Sequence, residues 1–209
     1  MKNKTLIVCP GGRKSYSVTG SISDIASHAF YMCSNLNTLL FTSSCTITKI
    51  ADSTFYGCTS LQVLQLPSGL SSVEKEAFNG CSGLRSVSFG ASIQTLGDSC
   101  FSGCACLEEV DFGSSSLIQT LGSSAFAGCK NLMIKDSRIP DSVRKIGASC
   151  FEGCQMLELE SLPPNIAEIG PSAFRGCLRL KSVRVPESLR ALGADSFSDC
   201  SNLSVVYLC

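Results

Sequence analysis

The sequence has no tryptophan, a single histidine and no excess of either charge, with 17 Lys and Arg set against 17 Asp and Glu. A neutral balance removes the usual electrostatic case for a nucleic-acid partner, which needs a clustered basic surface. The lone histidine, His28, leaves any His-based triad or dyad resting on one residue. It occupies a slot otherwise held by Ser, Glu or Asp, so an exposed, non-catalytic side chain is expected. No apolar run approaches the ~18 residues of a membrane span, and no membrane insertion by this chain is expected. Thr5–Cys9, "TLIVC", is too short for a signal-peptide core and runs directly into Pro-Gly-Gly. With Met1 as the start, these absences predict an intracellular protein whose thiols are reduced. Charged residues make up 16% of the chain and hydrophobic ones 44%, a balance that predicts a folded protein.

What the chain has is repetition and cysteine. "GSSAFAGC" at 122–129 returns as "GASCFEGC" at 147–154 and "GPSAFRGC" at 170–177. Aligned on the phenylalanine, the phrase has eight anchors: Phe30, Phe55, Phe78, Phe101, Phe126, Phe151, Phe174 and Phe197. Their spacings are 23 or 25 residues, a period that marks a solenoid. Three residues after each Phe stands a cysteine, from Cys33 to Cys200, and six after it a leucine, from Leu36 to Leu203. Eight and five residues before it stand aliphatic pairs such as Ile93/Leu96 and Ile166/Ile169.

Each unit has a physical reading. The segment "LRSVSF", Leu84–Phe89, alternates at period two and reads as a short strand with one buried face. A turn follows, often with proline, and the aliphatic pair opens a second extended stretch. One helical turn is expected to carry the Phe, with Asp52, Asp98 and Ser123 as N-caps and Pro171 at a first helical position. Gly57, Gly80, Gly103, Gly128, Gly153 and Gly176 sit where the chain must reverse and are expected at positive φ. No unit hides its apolar residues alone; stacking buries them against the same residues of the neighbours. The cysteine slot then points inward and calls for a small apolar group, which a free thiol supplies. A disulfide ladder between adjacent coils is the alternative, since their Cα atoms come within bridging distance.

Other cysteine and glycine signals carry little. "CFSGCAC", Cys100–Cys106, superficially suggests zinc, but Cys104 belongs to the inward column and Cys100 recurs as Cys150 in a small-residue slot. No metal or other cofactor is expected. "PGGRKS", Pro10–Ser15, lacks the spacing of a phosphate loop and reads as a turn. Two glycosylation triplets, at Asn3 and Asn202, are of a kind common by chance.

The unit Ile-x-x-Ile-Gly-x-x-x-Phe-x-Gly-Cys-x-x-Leu-x-x-Val-x-Ile-Pro resembles the BspA-type leucine-rich repeat, and "IAEIGPSAFRGCLRLKSVRVP", Ile166–Pro186, is a near-complete copy. "CPGGRKSYSV", Cys9–Val18, is similar to the lead-in of such proteins in flagellated protozoan parasites. The resemblance implies an α/β fold: a right-handed leucine-rich-repeat solenoid of about eight coils, with a parallel sheet on the concave side and short helical turns and extended segments elsewhere. Residues 1–21 would form an N-terminal capping segment with a partial repeat, and 22–209 the eight-repeat solenoid. The resemblance also implies binding to proteins or matrix without catalysis, often at a cell surface, which is the alternative location if the chain is a fragment. Some positions depart from the pattern. Ala26, Ala51 and Glu74 replace the first Gly, Met32 and Asp199 replace the second, and Ser137 and Glu160 fall in the inward valine slot. A bulge or loosened packing is expected at those last two, because an unpaired inward Glu is costly.

On the concave strands the residues between the buried ones face out. One outward column is expected to hold Thr38, Val63, Ser86, Glu109, Asp136, Leu159, Ser182 and Val205. The other would hold Leu40, Gln65, Ser88, Asp111, Arg138, Ser161, Arg184 and Tyr207. For the coil after Phe126 this alignment runs backwards from Ile139-Pro140, placing its two extra residues before the strand. These columns form the expected protein-binding face, apolar at the N-terminal end and acidic at its centre through Glu109 and Asp111. The final strand, Ser204–Cys209, ends without a polar cap and leaves an edge suited to assembly. The function expected is a protein-interaction scaffold, with a structural or cytoskeletal assembly component as its intracellular version; the alternative is cell-surface adhesion to host or matrix proteins.

Overall fold

The structure is a computed structural model that describes residues 4–8 and 12–208. Asn3 of the first glycosylation triplet, most of the Pro10–Ser15 turn's start and Cys209 lie outside the described residues. The chain winds into a stack of parallel rungs. One wall is a six-stranded sheet in the order Met133–Ile134, Glu109–Asp111, Ser86–Ser88, Val63–Gln65, Thr38–Phe41 and Ser15–Val18. A second wall is a seven-stranded sheet running from Lys49–Ile50 through Thr95–Leu96 to Ala191–Leu192. Each strand pairs with its counterpart one repeat away, as in Val63↔Ser86↔Glu109 and Thr95↔Thr120↔Lys145. Register is set by burial, since one face of each strand feeds the core and a one-residue slip would turn it to water. Leu64, Val87 and Val110 are buried from the first wall, and Val73, Leu96, Leu121 and Ile146 from the second.

The aromatic column is the spine of the core. The rings of all eight repeat phenylalanines stack in order, with centroids 4.7 to 5.5 Å apart. The pairs from Phe55 to Phe151 are tilted by only 3° to 5°. Strand pairing sets a rung spacing of ~4.8 Å, which matches the separation that offset-stacked rings favour. Phe30 through Phe174 are fully buried, and Phe197 is partly so.

The segment carrying each Phe is not a helical turn. It is a run of tight turns in which the residue two before Phe adopts positive φ, as at Ser99 (54°) and Ser149 (53°). The residue two after does the same, as at Gly103 (72°) and Gly153 (72°). An α-helix would direct each N–H to a carbonyl of its own coil. Here the alternation turns the donors toward the next coil: Phe101 donates to the Ala125 carbonyl and Gly103 to the Ala127 carbonyl, both at 2.8 Å. The arrangement repeats at Phe126 and Gly128, Phe151 and Gly153, and Phe174 and Gly176. The turns thus form a third inter-coil ladder, and the expected helical N-caps have no helix to cap. Asp98 instead accepts the Ser123 N–H of the following coil at 2.7 Å. Met32 (56°) and Asp199 (60°) hold the same backbone conformation without glycine. The other glycine column answers a different need. A Cβ on Gly170 would lie 2.5 Å from the Ala148 backbone nitrogen, so a larger residue would push the coils apart.

The cysteine column closes the stack by hydrogen bonding as well as by size. The thiol of Cys81 donates to the Phe55 carbonyl of the preceding coil at 3.1 Å, Cys129 to that of Phe101 at 3.2 Å, and Cys177 to that of Phe151 at 3.2 Å. Cys58, Cys104, Cys154 and Cys200 repeat the bond. Cys81, Cys104, Cys129, Cys154, Cys177 and Cys200 are free thiols. Burial pushes the Cys81 thiol up to about 12, and that of Cys104 well above its ordinary value. A serine in this slot would keep the donor on a shorter arm and bury a more polar atom; a valine would have no donor.

Candidate functional site

Outward columns on the six-stranded sheet follow from strand pairing. Thr38, Val63, Ser86 and Glu109 stand in register, as do Gln65, Ser88 and Asp111. Leu40 lies one residue beyond Leu39 on the strand that pairs with Val63–Gln65 and faces solvent. Glu109 is exposed; Asp111 is half-buried. On the strands between the two edges, backbone donors and acceptors are committed to the ladders, so this face presents side chains to a partner.

The coil after Phe126 corrects the expected register. Met133, not Asp136, pairs with Glu109, and Ile134 pairs with Val110 and enters the inward slot expected to hold Ser137. The strand begins one residue sooner after Leu132 than its counterpart does after Leu107, and the added residues follow it. They form a short 3-10 turn, Lys135–Ser137, with Asp136 at φ 57°. The cause is apolar content: Ile134 can fill the core, whereas the backward alignment would bury Ser137. Asp136 is exposed on that turn, outside the column. Arg138 and Ser161 keep the mutual register expected of them through an isolated bridge, and Arg138 pairs with Asp141 at 3.3 Å. Met133 and Lys135 are surface members that the sequence reading missed; the signal for them was Leu132-Met133-Ile134, where an aliphatic stands two residues after Leu132 instead of three.

The next coil departs further. Leu159 turns toward the core and Glu160 is exposed, the reverse of the expected facing. Keeping Glu160 in water avoids burying its charge. The cost is the sheet: ladder pairing stops after Met133–Ile134 and resumes as a separate pair, Ser182–Val185 with Val205–Leu208. The expected loosening at Ser137 and Glu160 is therefore a break in this wall. Beyond it, Arg184 lies over the Tyr207 ring, 5.1 Å from its centroid. Val206, in an inward slot, is half-exposed, and among the described residues no strand pairs with the outer edge of Val205–Leu208.

Electrostatics temper the acidic centre. Lys135 donates to Asp111 at 2.7 Å, which, with the Gly113 N–H, holds the Asp111 carboxyl below its usual range. The same bond raises the Lys135 ammonium. Arg85 holds Glu108 at 3.1 Å. Among the described residues no hydrogen bond or ion pair engages the Glu109 carboxylate. Three large apolar side chains share the face: Leu40, Val63 and Met133, 54%, 53% and 49% exposed.

The positions set aside for other chemistry are placed as follows. His28 is exposed, at φ 63°, its ring 5.4 Å from that of Tyr31. Cys100 and Cys104 are buried and Cys106 is half-buried; among the described residues no group of three or more His, Cys, Asp or Glu is arranged to hold a metal ion. No helix among the described residues is long and apolar enough to cross a membrane.

Comparison with known proteins bears on the whole stack. The chain shares its fold with a leucine-rich repeat protein of T. pallidum, at 24% identity and a TM-score of 0.72, over 94% of this chain and 86% of that one. A leucine-rich repeat protein of Eubacterium ventriosum is 17% identical at a TM-score of 0.70, over 90% of this chain and 59% of that one. No curated protein matches the sequence. The model of the BspA type leucine rich repeat region matches residues 12–133 and 120–209, in 6 copies. With a stacked phenylalanine spine, parallel walls and this match along nearly its full length, the chain belongs to the BspA-type leucine-rich repeat family.

Proposed function

We propose that this protein is a non-enzymatic scaffold that binds a protein partner through the outward face of its six-stranded sheet. The observation that carries the reading is the exposure of Leu40, Val63 and Met133 together on one wall of the stack. Exposed large apolar groups among polar neighbours are the usual mark of a protein contact surface. Family membership supports protein interaction and a surface role alike. The outer edge of Val205–Leu208 offers a second contact, strand pairing with another copy.

The test is capture of partners from the source cell on immobilised chain, comparing the native protein with Val63→Lys combined with Met133→Lys. A control carries Thr95→Lys on the seven-stranded wall. Loss of the same captured protein with the first variant, and retention with the control, is the expected result. Equal capture by all three removes the assignment to this face.

A further inference from the structure

Ser86 is, with Ser15, the smallest side chain of its row, and it is set between Val63 on one rung and Glu109 on the next, with Met133 beyond. The result is an open hollow of about 560 Å³ whose walls include Val63, Met133 and Ile134. At its rim stand the Arg85–Glu108 pair on one side and Lys135 on the other. Both cations are engaged, Arg85 by Glu108 and Lys135 by Asp111. Glu109 and Asp136 have no ion-pair partner among the described residues, so three carboxylates and two cations line the hollow and it carries a net negative charge.

We infer that the hollow receives an extended segment of the partner protein bearing a large apolar side chain and, within two residues of it, a Lys or Arg. This rests on the reading of the sheet face as the binding surface and names the chemistry it selects. The apolar side chain fills the space over Ser86 against Val63 and Met133, where no native side chain stands. The basic residue reaches the Glu109 carboxylate. An extended chain places successive same-side residues ~6.7 Å apart and the rungs repeat at ~4.8 Å, so a long basic side chain spans the difference. The excess negative charge disfavours nucleic acid and anionic lipid, and the apolar walls favour a peptide over a bare cation. The Ser86 strand is paired on both sides, with Val63–Gln65 and Glu109–Asp111, so over Ser86 the segment docks by side chains and not by strand addition.

The test uses the full chain as bait for a random dodecamer library displayed on phage, followed by fluorescence anisotropy with the best synthetic peptide. Enrichment of a large apolar residue with Lys or Arg one or two positions away is expected. Affinity should fall at least tenfold in Ser86→Phe and in Glu109→Gln, while Glu109→Lys should shift selection toward Asp or Glu. Thermal midpoints within a degree or two of the native chain confirm that the variants fold. Peptides without a basic residue, or none enriched at all, overturn the inference. If affinity ignores Ser86→Phe and Glu109→Gln but collapses in Leu40→Lys, this inference fails and the sheet-face reading stands. Indifference to all three variants removes both.

Discussion

Cys81 offers a sharp test of the stacked thiols. Its side chain is buried, donates to the Phe55 carbonyl at 3.1 Å, and has its ionisation pushed by burial from 9.0 up to about 12. Cys81→Ala removes the sulfur and the bond, leaving a small void and an acceptor with one partner fewer; at pH 8 this should cost about 1–2 kcal/mol. The sign of the pH dependence follows from linkage. A group whose folded value lies above its unfolded value contributes stability that is complete below the unfolded value and is lost as pH rises toward the folded one. The native chain should therefore lose stability above pH 9, because the unfolded thiol ionises and the folded one does not. For one such thiol the loss between pH 8 and pH 10 is about 1.4 kcal/mol. The variant lacks that contribution, so its deficit should shrink to near zero at pH 10. Urea unfolding at the two pH values, under a phosphine reductant, reads both numbers, and the subtraction cancels the tyrosines and lysines common to both chains. A deficit that stays constant from pH 8 to pH 10 would refute the reasoning and place the Cys81 thiol in contact with water.

Three further outcomes follow from the same geometry. Phe101→Ala removes a fully buried ring stacked 5.2 Å from Phe78 and 5.5 Å from Phe126, and should lower unfolding free energy by about 3–5 kcal/mol in urea titration. Asp111→Asn should leave stability near pH 7 almost unchanged, since the Lys135 pair is exposed. Because the Asp111 value is lowered in the fold, the pair's contribution is present above 3.8 and lost as pH falls below it; the variant's acid-unfolding curve should be the flatter one. If the edge of Val205–Leu208 pairs with a second copy, light scattering should show mass rising with concentration, and Val206→Pro, which interrupts strand pairing, should hold the chain monomeric.

How much of this was legible in the sequence depends on whether a position answers to the core or to its neighbours along the stack. Phe, Cys, Leu and the aliphatic pairs recur because each coil must bury the same shape, and these columns stand where periodicity puts them. The left-handed glycines are legible for the same reason, since Gly103 and Gly153 meet one backbone demand in every coil. The helical turn was misread because the local cues of Asp98 and Ser123 are the same whether the N–H they accept from lies in their own coil or the next. A single sequence names the acceptor and not the direction. The coil after Phe126 was misread because the Ile139-Pro140 turn looked like the firmer anchor. The choice between Ile134 and Ser137 for the inward slot is settled by which side chain can be dry, a question about two candidates at once and not about spacing. Leu159 and Glu160 pose the same question, and the apolar member of that pair wins too.

These two coils also show why the recognition wall varies while the stack holds. Across the break the phenylalanine spine continues, with Phe126–Phe151 at 5.5 Å and Phe151–Phe174 at 5.4 Å. The seven-stranded wall pairs straight through it, Lys145 with Glu168, and the turn ladder persists where Phe151 donates to the Ala173 carbonyl. Three of the four inter-coil connections are intact, so losing the fourth does not split the protein into two bodies. It does divide the outward face into a six-stranded part and a two-stranded part with different chemistry, Leu40, Val63, Glu109 and Met133 on one and the Arg184–Tyr207 stack on the other. In a quasi-linear array each interface contributes its own share of stability. A wall whose pairing can lapse for two coils without loss of the spine is the wall free to change its residues, and that is where a binding surface can be altered at least cost to the fold.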